Sequence, residues 1–226
     1  MAGVQSTEIQ RAQSEWFREW QRYILRTYCN DCASGLDVGC GSGAVMENLS
    51  DMFDLEGLDL DPSEVEKARA KGLEVSVGDA MKLPFGDRSF DLVYSSFLFI
   101  WNPDITGLLK EMIRVAGKKV VILGEPIWNR SIVHPPEMHS LIETERDMIR
   151  RDGGDPEAGL DVLDVISGMG LKHRFGLIPV DTSPEEMRRW VSIEREYASQ
   201  HGAPQEDLPL TIFYIPIVWA VIDLSG

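Results

Sequence analysis

The sequence predicts a doubly wound α/β fold, a parallel sheet with helices on both faces, and three observations predict it. Short apolar runs alternate with helical segments along the first half of the chain, the pattern of a parallel sheet built by crossover helices. The first apolar run ends in an acidic residue and enters a glycine-rich turn, Leu36-Asp37-Val38-Gly39-Cys40-Gly41-Ser42-Gly43, that leads straight into a helical segment. The 226 residues, 43% hydrophobic and 26% charged, supply the apolar material for one core of this kind.

The elements follow in order. Residues 6–28 place Trp16, Trp20, Tyr23 and Leu25 at helical spacing and read as an amphipathic helix. Residues 35–39 are the first strand and 55–60 the second. Asp61-Pro62-Ser63-Glu64 opens the next helix with a capping acid, proline at the first helical position and an acid three residues on, and Lys71-Gly72 closes it. Strands three, four and five are 73–77, 90–95 and 119–123, with a helix over 106–115 before the fifth. A helical insertion then departs from the alternation: Pro135-Pro136, a helix over 137–151, and another from Asp155-Pro156-Glu157 to 169. Residues 171–180 read as strand six, Ser183-Pro184-Glu185-Glu186 caps a helix reaching 200, and 210–224 read as the last strand. Pro216 cannot donate to a ladder, so a bulge, a break or a sheet edge is expected there.

Net charge is −15 with no cluster of Lys or Arg, which argues against nucleic acid and anionic membrane as partners. Cys29-Asn30-Asp31-Cys32 is a lone pair. A zinc ribbon needs a second pair, and a redox pair sits on the helix after a strand, so Cys29, Cys32 and Cys40 read as reduced bystanders and no metal is expected. The N-terminal residues lack the apolar core of a signal peptide, and the most apolar run, 212–224, is too short to span a bilayer; the expected location is cytoplasmic.

Four signals stand in order at the ends of strands one to four. The glycine turn gives a ligand close backbone approach at a helix N-terminus. Asp59 ends strand two, where a carboxylate accepts from a ribose diol or faces the next helix dipole. After strand three, Asp79 is placed to accept from an exocyclic amine of adenine with the Ala80 N–H beside a ring nitrogen, or it caps the turn. Phe90-Asp91-Leu92-Val93-Tyr94-Ser95-Ser96 ends strand four beside the glycine turn, where open parallel sheets bind ligands.

Across residues 34–125 these motifs resemble the class I S-adenosylmethionine-dependent methyltransferases, most of all the small-molecule branch that includes the ubiquinone and menaquinone enzymes. The matching residues are Leu36 to Gly43, then Gly57-Leu58-Asp59-Leu60-Asp61-Pro62, Gly78-Asp79-Ala80-Met81-Lys82-Leu83-Pro84-Phe85 and Ser89 to Ser95. The resemblance implies a Rossmann-like, mostly parallel seven-stranded sheet with its last strand antiparallel, and S-adenosyl-L-methionine as cofactor. It implies that Asp37, Gly39, Cys40, Gly41, Ser42 and Gly43 hold the methionine part. Asp59 would bind the ribose, Leu60 pack on adenine, Asp79 and Ala80 read the adenine edge, and Ser95 or Ser96 face the methionine amino group. Two departures stand out. The Lys-Pro-Gly-Gly-like turn before strand five is Val115-Ala116-Gly117-Lys118, and the His-rich stretch common after strand four is Phe97-Leu98-Phe99-Ile100-Trp101-Asn102-Pro103. The Asn/Asp-Pro-Pro-Tyr motif of adenine-N6 and glutamine methylases is missing, which argues against those substrates.

One domain over 1–226 is expected: an N-terminal helical cap (1–30), the cofactor core (34–125), a variable lid (126–160) and the rest of the sheet (161–226). Trp16, Trp20, Tyr23, Phe97, Trp101 and Trp128 are candidate walls for a small acceptor, or core packing. His134, His139 and Glu143 are candidate base and orienting acid, with His139 and Glu143 one helical turn apart, or a solvated helix face. The expected function is methyl transfer by in-line displacement to a small molecule. An NAD(P)-dependent oxidoreductase is the alternative, but its Gly-x-Gly-x-x-Gly spacing differs here; a non-catalytic S-adenosylmethionine-binding protein is the other. Monomer and homodimer remain equally open.

Overall fold

Glycines in the turn, a capped helix after the second strand and alternating apolar runs produce the expected sheet. The computed structural model describes residues 7–179 and 212–225. In chain order the elements are α1 (Thr7–Tyr28), β1 (Ser34–Val38), α2 (Ala44–Leu49), β2 (Asp54–Asp59), α3 (Pro62–Ala70), β3 (Glu74–Val77), β4 (Phe90–Ser95), α4 (Ile105–Val115) and β5 (Ala116–Pro126). There follow β6 (Ile132–His134), α5 (His139–Arg151), α6 (Ala158–Gly168), β7 (His173–Leu177), β8 (Ile212–Tyr214) and β9 (Ile217–Asp223). The helix expected over 183–200 lies outside the described residues.

The seven-stranded sheet runs β3-β2-β1-β4-β5-β9-β7. The first five strands pair in parallel, and β9 inserts antiparallel between β5 and β7. The chain winds outward from β1 to β3, then returns to place β4 on the other side of β1. That reversal opens a crevice at the carboxyl ends of β1 and β4, the place where such sheets bind ligands.

Several boundaries differ from the sequence expectation, strand five beginning at Ala116 rather than 119. Strand five runs on to Pro126, because β9 pairs with it as far as Pro126, opposite Ile217. The last strand is two strands. Residues Ile212–Tyr214 pair with β6 in a separate two-stranded sheet, Ile217–Asp223 enter the main one, and Pro216 sits between them with its carbonyl accepting from Ile127 N at 2.8 Å. Strand six is shorter than expected, ending at Leu177.

The core lies between the central strands and α4 and α6, with Leu36, Val93, Leu108, Met112, Val120 and Val162 fully buried. On the other face, Ile24 and Leu25 of α1 are fully buried against Tyr94, Val121 and Leu123, and each such side chain contributes about 1.5–3 kcal/mol by leaving water. Arg22 fixes α1 further, donating to Asn48 O in the last turn of α2 and to both oxygens of Asp51 just beyond it. Thus α1 is anchored along one face while Trp16 and Trp20 pack against a separate apolar cluster with Phe17, Val133 and Leu141.

Candidate active site

The glycine turn is built for close approach. Gly39, Gly41 and Gly43 have φ of 76°, 51° and 79°, in the region L-side chains rarely adopt. At Gly39 the space is also closed, since a Cβ there would lie 2.7 Å from Leu98 Cδ1. The turn is tied to β2: Gly39 N and Cys40 N donate to Leu58 O at 2.8 and 3.1 Å, and Gly41 N donates to Asp59 Oδ2 at 2.7 Å. Asp59 Oδ1 accepts from Asp61 N at 2.9 Å. Burial raises the Asp59 carboxyl above its ordinary value, and those two N–H donors pull the other way. Asp59 therefore shapes the turn as well as facing the crevice.

Three buried polar atoms at the strand ends, Asp37 Oδ2, Tyr94 Oη and Ser95 Oγ, make no well-aligned hydrogen bond. Asp37, on β1, is buried with the Tyr94 hydroxyl as its neighbouring polar group, and Ser95 Oγ, at the end of β4, is unpaired. Burial pushes the Asp37 carboxyl up to about 8; the adjacent Tyr94 hydroxyl opposes the rise and the Asp59 charge adds to it. Such orphans carry a desolvation cost of about 1–3 kcal/mol each unless a ligand satisfies them. At the other end, Leu60 is 71% exposed just past β2, an apolar side chain left uncovered beside the crevice. Asp79 caps the short turn Ala80–Lys82, its Oδ1 accepting from Met81 N at 2.8 Å, with its other oxygen at the exposed rim. The donor set fits a nucleoside joined to a zwitterionic tail: an apolar shelf and acids toward β2 and β3, a glycine turn, the buried Asp37 carboxyl and the unpaired Ser95 Oγ toward β1 and β4.

Sequence reasoning missed Glu125. It lies on β5 beyond the expected strand end and is fully buried. Its Oε1 accepts from Leu98 N and Phe99 N at 2.8 and 3.0 Å, and its Oε2 from Ile100 N at 3.2 Å. Phe97 N donates to Gly124 O at 2.9 Å. Burial pushes the Glu125 carboxyl up to about 7 against the pull of the three N–H groups. Phe97 has φ of 56°, a strained setting for an aromatic residue that costs about 1–2 kcal/mol. The available signal was an acid at the crevice end of a strand.

Of the wall candidates, the structure brings Trp16, Trp20, Phe97 and Trp128 into one apolar cluster with Phe17, Val133, Leu141 and Ile142. The Phe17 and Phe97 rings meet at 5.7 Å. Tyr23 is not in that cluster. It is 56% exposed and meets Trp20 edge-on, because the buried face of α1 runs through Phe17, Gln21, Ile24 and Leu25. Trp101 is also elsewhere, packed in the main core near Gly154. Ser96 is half-buried, near Gly124. His134, His139 and Glu143 are all exposed, and Glu143 Oε1 accepts from Arg146 at 2.8 Å rather than from His139. Among the described residues no group of three or more His, Cys, Asp or Glu is arranged to hold a metal ion, and the three cysteines are free.

Residues 36–123 match a family model described as a methyltransferase domain. That segment is similar to a methyltransferase domain. The match coincides with the segment from β1 to β5 that builds the crevice. Over 135 residues the chain is 33% identical to ajmaline N-methyltransferase of Rauvolfia serpentina, covering 54% of this chain and 45% of that protein. Over 121 residues it is 33% identical to demethylmenaquinone methyltransferase of Staphylococcus epidermidis, covering 48% of this chain and 50% of that protein. The chain thus spans about half the length of the curated relatives it matches. A solved geranyl diphosphate methyltransferase in complex with S-adenosylmethionine superposes with a TM-score of 0.58 at 14% identity, over 91% of this chain and 84% of that one, a likeness of fold. No helix among the described residues is long and apolar enough to cross a membrane.

Proposed function

We propose that this protein transfers the methyl group of S-adenosylmethionine to a small, largely apolar acceptor. The observation that carries the reading is the juxtaposition of the buried Asp37 carboxyl and the unpaired Ser95 Oγ with the Asp59-braced glycine turn, joined through Phe97 and Leu98 to an aromatic cluster. When bound, the cofactor supplies a sulfonium-activated methyl group that needs no further activation. The protein's task is to hold the acceptor's nucleophile in line behind that methyl and to exclude water. In this reading Gly39, Cys40, Gly41, Ser42 and Gly43 cradle the methionine part, Asp37 and Ser95 or Ser96 take the amino group, and Asp59 the ribose. Leu60 stacks on adenine, and Asp79 and Ala80 read its edge. Trp16, Trp20, Phe97 and Trp128 form the acceptor wall.

A base is needed only for an acceptor protonated at neutral pH. His139 is the candidate of the His134–His139–Glu143 group, since Glu143 is engaged by Arg146. The whole of 1–226 is read as one domain of a cytoplasmic enzyme, monomer or homodimer, with no nucleic-acid or membrane partner; the charge of −15 supports this. The test is incubation with methyl-labelled cofactor and the small-molecule fraction of a cell extract. Label in an extractable product supports the reading. Retention of the cofactor with no labelled product in any fraction favours a binding protein without catalysis.

A further inference from the structure

We propose that Glu125 is a positioning residue for methyl transfer: its carboxylate holds the segment after β4 in the one conformation that joins the cofactor turn to the acceptor wall. The inference rests on the methyltransferase reading above. Four consecutive N–H groups, Phe97 to Ile100, are taken up by the end of β5, one by Gly124 O and three by the Glu125 side chain. A single carboxylate accepting three backbone N–H groups does the work of a helix cap for a segment with little repeating structure of its own, only the short turn Phe99–Trp101. Among the described residues no charged group influences Glu125; burial and the three N–H groups account for its setting.

The clamped segment has two working ends. Phe97 is held at φ 56°, and from there its ring meets Phe17 of α1 in the aromatic cluster. Leu98 packs against Gly39, at a distance that leaves no room for a Cβ. Ser95 and Ser96 lead directly into the clamp. One buried carboxylate on β5 therefore sets the relative position of the glycine turn and the acceptor wall, two parts that in-line transfer requires to be in register. Backbone strain at Phe97 persists because neighbouring bonds over-determine it, and Glu125 supplies most of those bonds.

The test uses the full chain and S-adenosylhomocysteine as the probe. In the wild type, the amides of Leu98, Phe99 and Ile100 are expected to exchange slowly with solvent deuterium before any ligand is added. Glu125→Gln keeps the volume but turns an amino group toward amide donors. It is expected to lose that protection and to weaken S-adenosylhomocysteine binding by about tenfold or more, the scale of one charge-assisted hydrogen bond. Asp91→Asn serves as the control, because Asp91 also accepts a backbone N–H, from Ala33 at 2.9 Å, but at the amino ends of β1 and β4, opposite the crevice; binding is expected to stay unchanged. Leu98→Ala is expected to weaken binding while the three amides stay protected, and it tests the link to Gly39 even where Glu125→Gln does not fold. Fast exchange of the three amides in the wild type, or wild-type affinity in a folded Glu125→Gln, overturns the proposal. Wild-type protein that does not bind S-adenosylhomocysteine overturns the cofactor reading instead, while the exchange pattern still decides whether the clamp exists.

Discussion

Gly39→Ala isolates the demand that the cofactor turn makes on its first glycine. At φ 76° the new methyl group sits in left-handed backbone, at a cost of about 1–2 kcal/mol. It also lies 2.7 Å from Leu98 Cδ1, 3.3 Å from Leu98 Cγ and 3.4 Å from Leu98 Cδ2, so the Leu98 side chain must move within the clamped segment. Overpacking of this kind costs about 1–3 kcal/mol. Alanine restricts the unfolded chain and returns about 0.4–1 kcal/mol. The net loss is about 1–4.5 kcal/mol, which for a chain of this size lowers the midpoint of thermal unfolding by about 2–18 °C. Gly72→Ala is the matched control: its φ is 83°, but a Cβ there meets nothing within 4 Å, so only the backbone cost applies. The assay is thermal unfolding of both variants beside wild type, followed by calorimetric titration with S-adenosylhomocysteine. Gly39→Ala is expected to be the less stable and to lose binding, and Gly72→Ala to bind as wild type. Equal unfolding midpoints and equal affinities in the two variants would refute the argument that Leu98 closes the space over Gly39.

Asp59→Asn keeps the shape but leaves one side-chain oxygen for the two N–H groups of Gly41 and Asp61 and turns an amino group toward the other; unfolding is expected to become easier by about 1–3 kcal/mol, and S-adenosylhomocysteine affinity to fall at least about tenfold, both read on the same protein sample. Asp37 has its folded-state pKa raised to about 8 from 3.8, so its stabilising contribution is complete at acid pH and is lost as pH rises from about 4 to about 8. At about 1.36 kcal/mol per pH unit the ceiling is ~6 kcal/mol, and Asp37→Asn should flatten that part of the stability–pH curve measured by urea unfolding. Because a bound ammonium group favours the ionised Asp37, wild-type affinity for S-adenosylmethionine should tighten over the same range, and an affinity independent of pH would contradict the placement of Asp37. For an acceptor that must lose a proton, His139→Ala should abolish labelled product while leaving cofactor binding intact; undiminished turnover with that acceptor removes His139 from the mechanism.

The cofactor half of the site is legible in sequence because its constraints are local. A turn with three residues at positive φ must be written in glycine, and an acid at the end of β2 must follow it to brace Gly41. Asp61-Pro62 announces α3 for the same reason, with Asp61 Oδ1 accepting from Ser63 N at 2.8 Å. The rest depends on contacts between distant segments. Glu125 reads as an ordinary acid beyond a strand, and its role exists only because β4 delivers three N–H groups to it across the sheet. The helical period of α1 does not reveal which aromatic faces inward, so Tyr23 and Trp20 look alike until the fold turns Tyr23 outward. Trp101 resembles a wall residue by its position after β4, yet the turn Phe99–Trp101 directs it into the core. Pro216 was informative as a break, but that its two flanking strands belong to different sheets follows from the partnership of β8 with β6, a pairing of three residues each. The acceptor side of the site rests on such long-range packing, and for that reason its aromatic residues suggest an apolar ligand without specifying one.

The most direct measurement is calorimetric titration of the purified protein with S-adenosylhomocysteine, with NAD as the comparison ligand and Asp59→Ala as the variant. The account predicts micromolar binding of S-adenosylhomocysteine, no binding of NAD, and loss of the first in the variant. Binding of NAD with none of S-adenosylhomocysteine would contradict it.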